Sequence, residues 1–81
     1  MNNEDLIYQP YTKEEYLELK ETFEKNVTNY LPDHLAGWAW NNYNKINGSR
    51  ESQPCTCGSS AGHWKRAVET IRTFIYKIEG R

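Results

Sequence analysis

In two separate segments of this chain, an apolar side chain recurs every three or four residues, which constrains the fold more than any other feature. The segments are "YTKEEYLELKETFEKNVTNYLP" and "SAGHWKRAVETIRTFIYKIEG". This spacing places the apolar side chains on one face of an α-helix. The first stripe is Tyr16, Leu19, Phe23, Val27, Tyr30 and Leu31, and the second is Trp64, Ala67, Val68, Ile71, Phe74, Ile75 and Ile78. The pattern therefore predicts two amphipathic helices.

Local signals predict where these two helices begin and end. Thr12 followed by Glu15 fits a capping box, in which each side chain accepts a hydrogen bond from the backbone N–H of the other residue. Pro32 is expected to end the first helix. The last helix is expected to begin after one of the serines at 59–60 and to close at Gly80.

A weaker pattern, "PDHLAGWAWNNYNKING", predicts a further helix between these two. Either Asp33 is its N-cap or Pro32 is a first-turn residue, and Gly48 is a natural stop. Its apolar face consists of Leu35, Trp38, Ala39, Asn42 and Ile46. Because Trp38 and Trp40 are separated by about 200° around a helix, we expect Trp40 and Tyr43 to lie together on a different flank.

These patterns predict an all-α fold, a small three-helix bundle with a long loop between helices 2 and 3. The chain has 81 residues, which is typical of one domain. We expect residues 1–11 to form an extended N-terminal arm and residues 12–81 to form a single helical domain. Residues 1–31 carry a net charge of −4 and residues 64–81 carry +3, so these segments attract each other if they pack antiparallel.

The loop "PCTCGSSAGHW" holds both cysteines and one of the two histidines. Cys55, Cys57 and His63, with His34 as a fourth ligand, form a candidate tetrahedral site, and thiolate with imidazole suits Zn²⁺. The alternatives for the fourth ligand are an Asp, a Glu, water or a residue of a partner. A structural zinc ion would stabilise so small a core. Two alternatives stay open: the cysteines are ordinary small loop residues, or they form a redox pair, although a disulfide between residues this close is strained.

The sequence does not indicate catalysis, and we predict a non-enzymatic protein with no catalytic residue. The acidic side chains of the first helix form one face, and no phosphate loop, nucleophile elbow or H-E-x-x-H motif is present. No apolar run is long enough to span a membrane, and the N-terminal stretch does not resemble a signal peptide. We therefore expect no membrane partner and a location in the cytoplasm.

Large aromatic side chains are numerous for so small a core, with three Trp and six Tyr. Because Trp and Tyr are favoured interface anchors, Trp40, Tyr43 and Trp64 are candidate partner-binding residues. We expect a protein partner or a homo-oligomer, unless the tryptophans simply form an aromatic core. The basic residues of the last helix leave a second interpretation, a small zinc-stabilised nucleic-acid-binding protein, although Glu69 interrupts their face.

The segments "WNNYNKINGS" and "CTCGSSAGHWKRAVETIRTFI" combine a "YN…NG" helix end, a C-x-C loop and a Trp-bearing last helix. Over roughly residues 38–75 the chain resembles small proteins of tailed bacteriophages, including the crAss-like phages of gut bacteria. The resemblance implies a viral protein, a phage accessory or virion component, that acts in the host cytoplasm or in the virion by binding other proteins. It implies no catalytic residues and no particular metal.

Overall fold

The computed structural model describes residues 7–27, 31–54 and 61–80. Within these ranges the chain contains three α-helices and no strand: α1 (Lys13–Asn26), α2 (Ala36–Asn47) and α3 (Ala61–Glu79). A single 3₁₀ turn, Asp33–Leu35, directly precedes α2. The described part of the chain therefore confirms the predicted all-α class and is compatible with a small helical bundle.

Helix α1 begins as predicted but ends early. Thr12 Oγ1 accepts a hydrogen bond from the N–H of Glu15 at 3.2 Å, and the N–H of Thr12 donates to Glu15 Oε1 at 2.9 Å, which confirms the capping box. The helix ends at Asn26, so the predicted end at Pro32 is wrong. Val27 adopts an extended conformation and buries its side chain, a backbone geometry that β-branched residues favour.

The glycines predicted to close the other two helices do so. Gly48 follows α2 with φ of 67°, and Gly80 follows α3 with φ of 77°. Both lie in the left-handed region, which glycine adopts without steric cost. The start differs at α2, where Pro32 precedes the 3₁₀ turn without a side-chain cap and Asp33 lies inside that turn. The serines at 59–60 lie outside the described residues.

The main core is the cluster of buried side chains between α1, α2, α3 and the turn before α1. Its members are Tyr11, Tyr16, Leu19, Phe23, Val27, Ala39, Ile71 and Ile75. Helices α1 and α3 run antiparallel, because Tyr16 lies beside Glu79 and Phe23 lies beside Arg72. The ion pair between them joins Lys20 to Glu79 at 3.1 Å. The cation Lys20 lies in segment 1–31, whose net charge is negative, and the anion Glu79 lies in segment 64–81, whose net charge is positive. The signs in this pair are therefore the reverse of the net charges of the two segments.

Helices α2 and α3 run parallel. The rings of Trp40 and Trp64 lie 5.5 Å apart, and the Arg66 guanidinium lies 5.9 Å from the Tyr43 ring. Trp40 contacts Trp64, and Tyr43, which comes later in α2, contacts Arg66, which comes later in α3. The two helices therefore run in the same direction. The connecting segment must therefore return along the length of α2 before α3 begins.

Residues 7–10 form a turn, and residues 1–6 of the predicted extended arm lie outside the described residues. The N–H of Tyr11 donates to the carbonyl of Tyr8 at 2.7 Å, and the Tyr8 ring packs 4.9 Å from that of Tyr16. Tyr11 is buried and its hydroxyl donates to Asn42 Oδ1 at 2.6 Å. Packing of these rings on the main core explains why the segment turns back. No helix in the described ranges has the length and apolarity needed to cross a membrane.

Candidate functional site

Glu51 connects the segment after α2 to three side chains of that helix. Its carbonyl oxygen accepts hydrogen bonds from Trp40 Nε1 at 2.8 Å and from Asn44 Nδ2 at 3.0 Å. Its carboxylate accepts a hydrogen bond from the hydroxyl of Tyr43 at 2.9 Å. Because buried indole and phenol groups need hydrogen-bond partners, Glu51 completes the polar requirements of two aromatic side chains at once.

The segment from Gly48 to Pro54, here called the return segment, runs back beside α2. The N–H of Ser49 donates to the carbonyl of Asn44 at 2.9 Å, near the end of the helix. Glu51 lies one turn earlier, beside Trp40. The Gln53 side chain lies next to Gly37, with its Oε1 3.8 Å from where a Cβ would stand. The return segment therefore reaches the first turn of α2.

The aromatic cluster consists of Trp40, Tyr43, Trp64 and Ala67, packed between α2 and α3. The rings of Trp40 and Tyr43 lie 4.7 Å apart, so these residues share a flank as predicted, while Trp38 packs on the main core. Trp40 is only 3% exposed and Tyr43 only 4%. Their predicted contact with a partner stays a prediction, and of the three candidate residues only Trp64 is partly rather than fully buried.

Arg66 extends this cluster toward the surface. Its guanidinium lies over the Tyr43 ring, and its Nη2 donates to Nδ1 of His63 at 3.3 Å. Arginine has no acceptor, so this hydrogen bond requires the imidazole nitrogen to be unprotonated. The same nitrogen is one of the two imidazole atoms that can bind a metal ion.

The two histidines predicted as metal ligands lie at the same end of the parallel helix pair. His34 is exposed in the 3₁₀ turn that precedes α2, and His63 is exposed in the first turn of α3. Cys55 and Cys57 lie outside the described residues. Within the described ranges no group of three or more His, Cys, Asp or Glu side chains is arranged to hold a metal ion.

The clear pKa shifts of the described residues belong to the main core and its rim. Burial raises the pKa of Tyr11, with a further contribution from the Glu15 carboxylate. Burial also raises the pKa of Tyr16, and its hydrogen bond to Glu79 adds to this effect. The backbone N–H of Thr12 and the nearby Lys45 ammonium lower the pKa of Glu15. These groups stabilise packing and a helix cap, and they do not converge on one pocket.

Glu51 and Asn44 were not predicted from the sequence, although a signal for Glu51 is present. Glu51 is the only acidic residue between Asp33 and Glu69. It follows a helix that carries Trp40 and Tyr43, whose polar atoms need acceptors once their rings are buried. Asn44 had no comparable signal, because its role depends on the direction that the return segment takes.

No known family model, curated protein or solved structure matches this chain.

Proposed function

We propose that this chain is a non-enzymatic phage protein that binds other proteins, with a structural zinc ion joining the start of α2 to the start of α3. One observation carries the proposal: the return segment runs back along α2, so the residues before and after the C-x-C motif approach the same end of the helix pair. The phage assignment rests on the sequence resemblance described above.

The reach of the chain supports the four ligands. Gln53 contacts the first turn of α2, and Pro54, bonded to Cys55, comes next. His34 lies just before that turn. At ~3.3 Å per residue, Cys57 lies within ~10 Å of Pro54 along the chain. This reach allows both thiols to approach His34.

His63 supplies the fourth ligand from α3. It lies next to Trp64, whose ring contacts Trp40 one turn into α2. A metal ion bound at Nδ1 of His63 replaces the present hydrogen bond from Arg66. Two thiolates and two imidazoles form a closed tetrahedral set, which leaves no position for a catalytic water. The role we assign to zinc is therefore structural.

The proposal assigns protein binding to the surface beside the aromatic cluster. Trp64 retains accessible area there, and Arg66 lies at its edge, held by the Tyr43 ring. Trp and Arg are enriched among the residues that dominate binding energy at protein interfaces. A zinc ion next to Trp64 would fix this surface, which reduces the entropy cost of binding.

Native mass spectrometry, with and without a chelator, tests the metal. We expect one zinc ion per chain and expect chelation to remove it together with part of the helical circular dichroism, because zinc contributes on the order of 10–16 kcal/mol in small zinc modules. His34→Ala and His63→Ala, made separately, should each weaken zinc binding, whereas Asp33→Asn, beside His34, should not. A chelator that changes neither mass nor helicity contradicts the site.

Sedimentation at increasing salt tests the mode of binding. Association that buries apolar and aromatic surface should change little between low and high salt. Binding to nucleic acid should weaken steeply over the same range, because phosphate contacts release counterions. A salt-sensitive mobility shift with DNA, and no association between proteins, would favour a nucleic-acid-binding protein instead.

A further inference from the structure

A groove of about 520 Å³ runs along α3 on the side that faces the end of α2. Ile46 and Phe74 contribute its apolar surface, and Gln9 lies at one edge. The polar wall belongs to α3, where Arg66, Thr70, Thr73 and Lys77 follow one another at helical spacing. The groove thus combines a polar row along α3 with the apolar side chains of Ile46 and Phe74.

The charges along the polar wall alternate in sign. Arg66 and Lys77 lie near the two ends, about 16 Å apart along the helix axis, and Glu69 lies between them. All three side chains are exposed. Within the described residues, Glu69 and Lys77 form no ion pair, while the Tyr43 ring and His63 orient Arg66. The order of charges is therefore positive, negative, positive.

We infer that this groove binds an extended peptide segment of a partner protein that carries two acidic side chains flanking a basic one. The inference rests on the proposed role in protein binding and names the partner's chemistry. In an extended strand, alternate side chains face the same way. Residues 1 and 3 of such a segment, about 7 Å apart, then face Arg66 and Glu69, which lie about 4.5 Å apart along the helix axis. Residue 5 lies about 13 Å along the segment and reaches Lys77, about 16 Å from Arg66, through the length of the two side chains, while residues 2 and 4 face Ile46 and Phe74.

The alternation of charge decides between a peptide and a nucleic acid. A nucleic-acid backbone carries uniform negative charge, so some of its phosphates would face Glu69 without compensation. A peptide that places a lysine opposite Glu69 avoids this repulsion. Like charges brought together at an interface discriminate strongly against the wrong partner. Glu69 is therefore a specificity residue of this groove.

The probe is the five-residue peptide acetyl-ELKLE-amide, whose sequence is the same in both directions. In an NMR titration of the full chain, we expect it to shift amide signals of residues 66–77 and of Ile46. It should bind more tightly than acetyl-QLKLQ-amide, which lacks the acids, and than acetyl-ELELE-amide, which places an acid opposite Glu69. Equal binding of all three peptides would overturn the inference.

Matched lysine substitutions test the location. Lys77→Gln should weaken binding of acetyl-ELKLE-amide by up to about fivefold, the upper end of the effect of losing one exposed charge pair. Lys65→Gln removes the same charge from an exposed position on α3 that does not line the groove, and it should leave the affinity unchanged. Equal effects of the two substitutions would show a general attraction to charge and reject the site.

Glu69→Gln separates the two classes of ligand. It should weaken binding of acetyl-ELKLE-amide and strengthen acetyl-ELELE-amide. An oligothymidylate that binds residues 66–77, and binds better after Glu69→Gln, overturns the inference in favour of nucleic acid.

Zinc content and sedimentation, measured on the same preparation, distinguish failure of the proposed function from failure of the groove inference. If the chain binds zinc and associates with other proteins but does not bind the peptide, only the inference about the groove is rejected.

Discussion

The main core and the aromatic cluster are stabilised in different ways. The main core joins three helices and the turn before α1 through apolar side chains, with Tyr16, Ile71 and Ile75 almost completely buried. The aromatic cluster joins only α2 and α3, and its buried polar atoms are satisfied by Glu51 of the return segment. The main core thus depends on apolar area and the cluster on a few hydrogen bonds from outside the helices. Damage to the two regions should therefore have different consequences.

The largest effect should come from a cavity in the main core. Ile71 is fully buried, so Ile71→Ala should lower the free energy of unfolding by about 2–5 kcal/mol, through lost transfer energy and the cavity left behind. Urea unfolding followed by circular dichroism measures the change. Ile71→Val removes a single methylene and should cost only about 0.5–1.5 kcal/mol. Similar costs for both variants would mean that the site collapses around the smaller side chain.

The second-largest effect should come from loss of a hydrogen bond in the aromatic cluster. Glu51→Ala leaves the buried hydroxyl of Tyr43 without its acceptor and should cost about 1–3 kcal/mol. The Trp40 bond goes to the backbone carbonyl and is retained. Glu51→Gln keeps an oxygen acceptor and serves as the matched control. Tryptophan fluorescence should change more in Glu51→Ala than helical circular dichroism does. The comparison fails if Glu51→Ala and Glu51→Gln behave alike.

High pH should act on the main core through its tyrosines. The pKa of Tyr16 is raised in the folded state, so the folded chain keeps a proton that the unfolded chain releases above about pH 10. Stability should therefore be constant up to about pH 10 and fall as pH rises further. Tyr16→Phe should flatten this decline in chemical unfolding measured at several pH values, at a cost of about 1 kcal/mol near neutrality. Tyr76→Phe alters an exposed phenol instead, and an equal flattening there would contradict the assignment.

The smallest effect should occur where the return segment meets α2. A Cβ at position 37 would lie 3.8 Å from Gln53 Oε1, an ordinary van der Waals distance. Gly37→Ala should therefore raise stability by up to about 1 kcal/mol, because alanine loses less backbone entropy in a helix. A thermal unfolding scan measures the gain. Gly48→Ala, at a positive φ, should instead destabilise the protein, and a loss at position 37 would mean closer packing there than the structure has.

The main core was largely predictable because its helices carry local, periodic signals. Tyr16, Leu19, Phe23, Ile71 and Ile75 occupy the predicted apolar faces and are buried. Tyr11 was not predicted, because it lies outside any periodic segment and is buried only through the turn at residues 7–10. The early end of α1 was also missed, because the apolar periodicity continues past Asn26, whereas the helical conformation of the backbone ends there.

The candidate site was less predictable, because it depends on the direction of a connection. The residue types for a zinc site can be recognised from the sequence, but nothing local shows that α2 and α3 run parallel. The return segment that allows this direction is attached to the preceding helix by the hydrogen bonds of Glu51. Zinc binding by Cys55, Cys57, His34 and His63 stays a prediction, since both cysteines lie outside the described residues.

The return segment also has a consequence for the order of folding. The Glu51 carbonyl bonds to Trp40, only 11 residues away, whereas Tyr16 bonds to Glu79 across 63 residues. Closing a short loop costs less entropy than closing a long one. We therefore expect α2 and the return segment to associate early and α1 to dock late. Substitutions at Leu19 should then speed unfolding with little effect on the folding rate, so that α1 determines how long the native state persists.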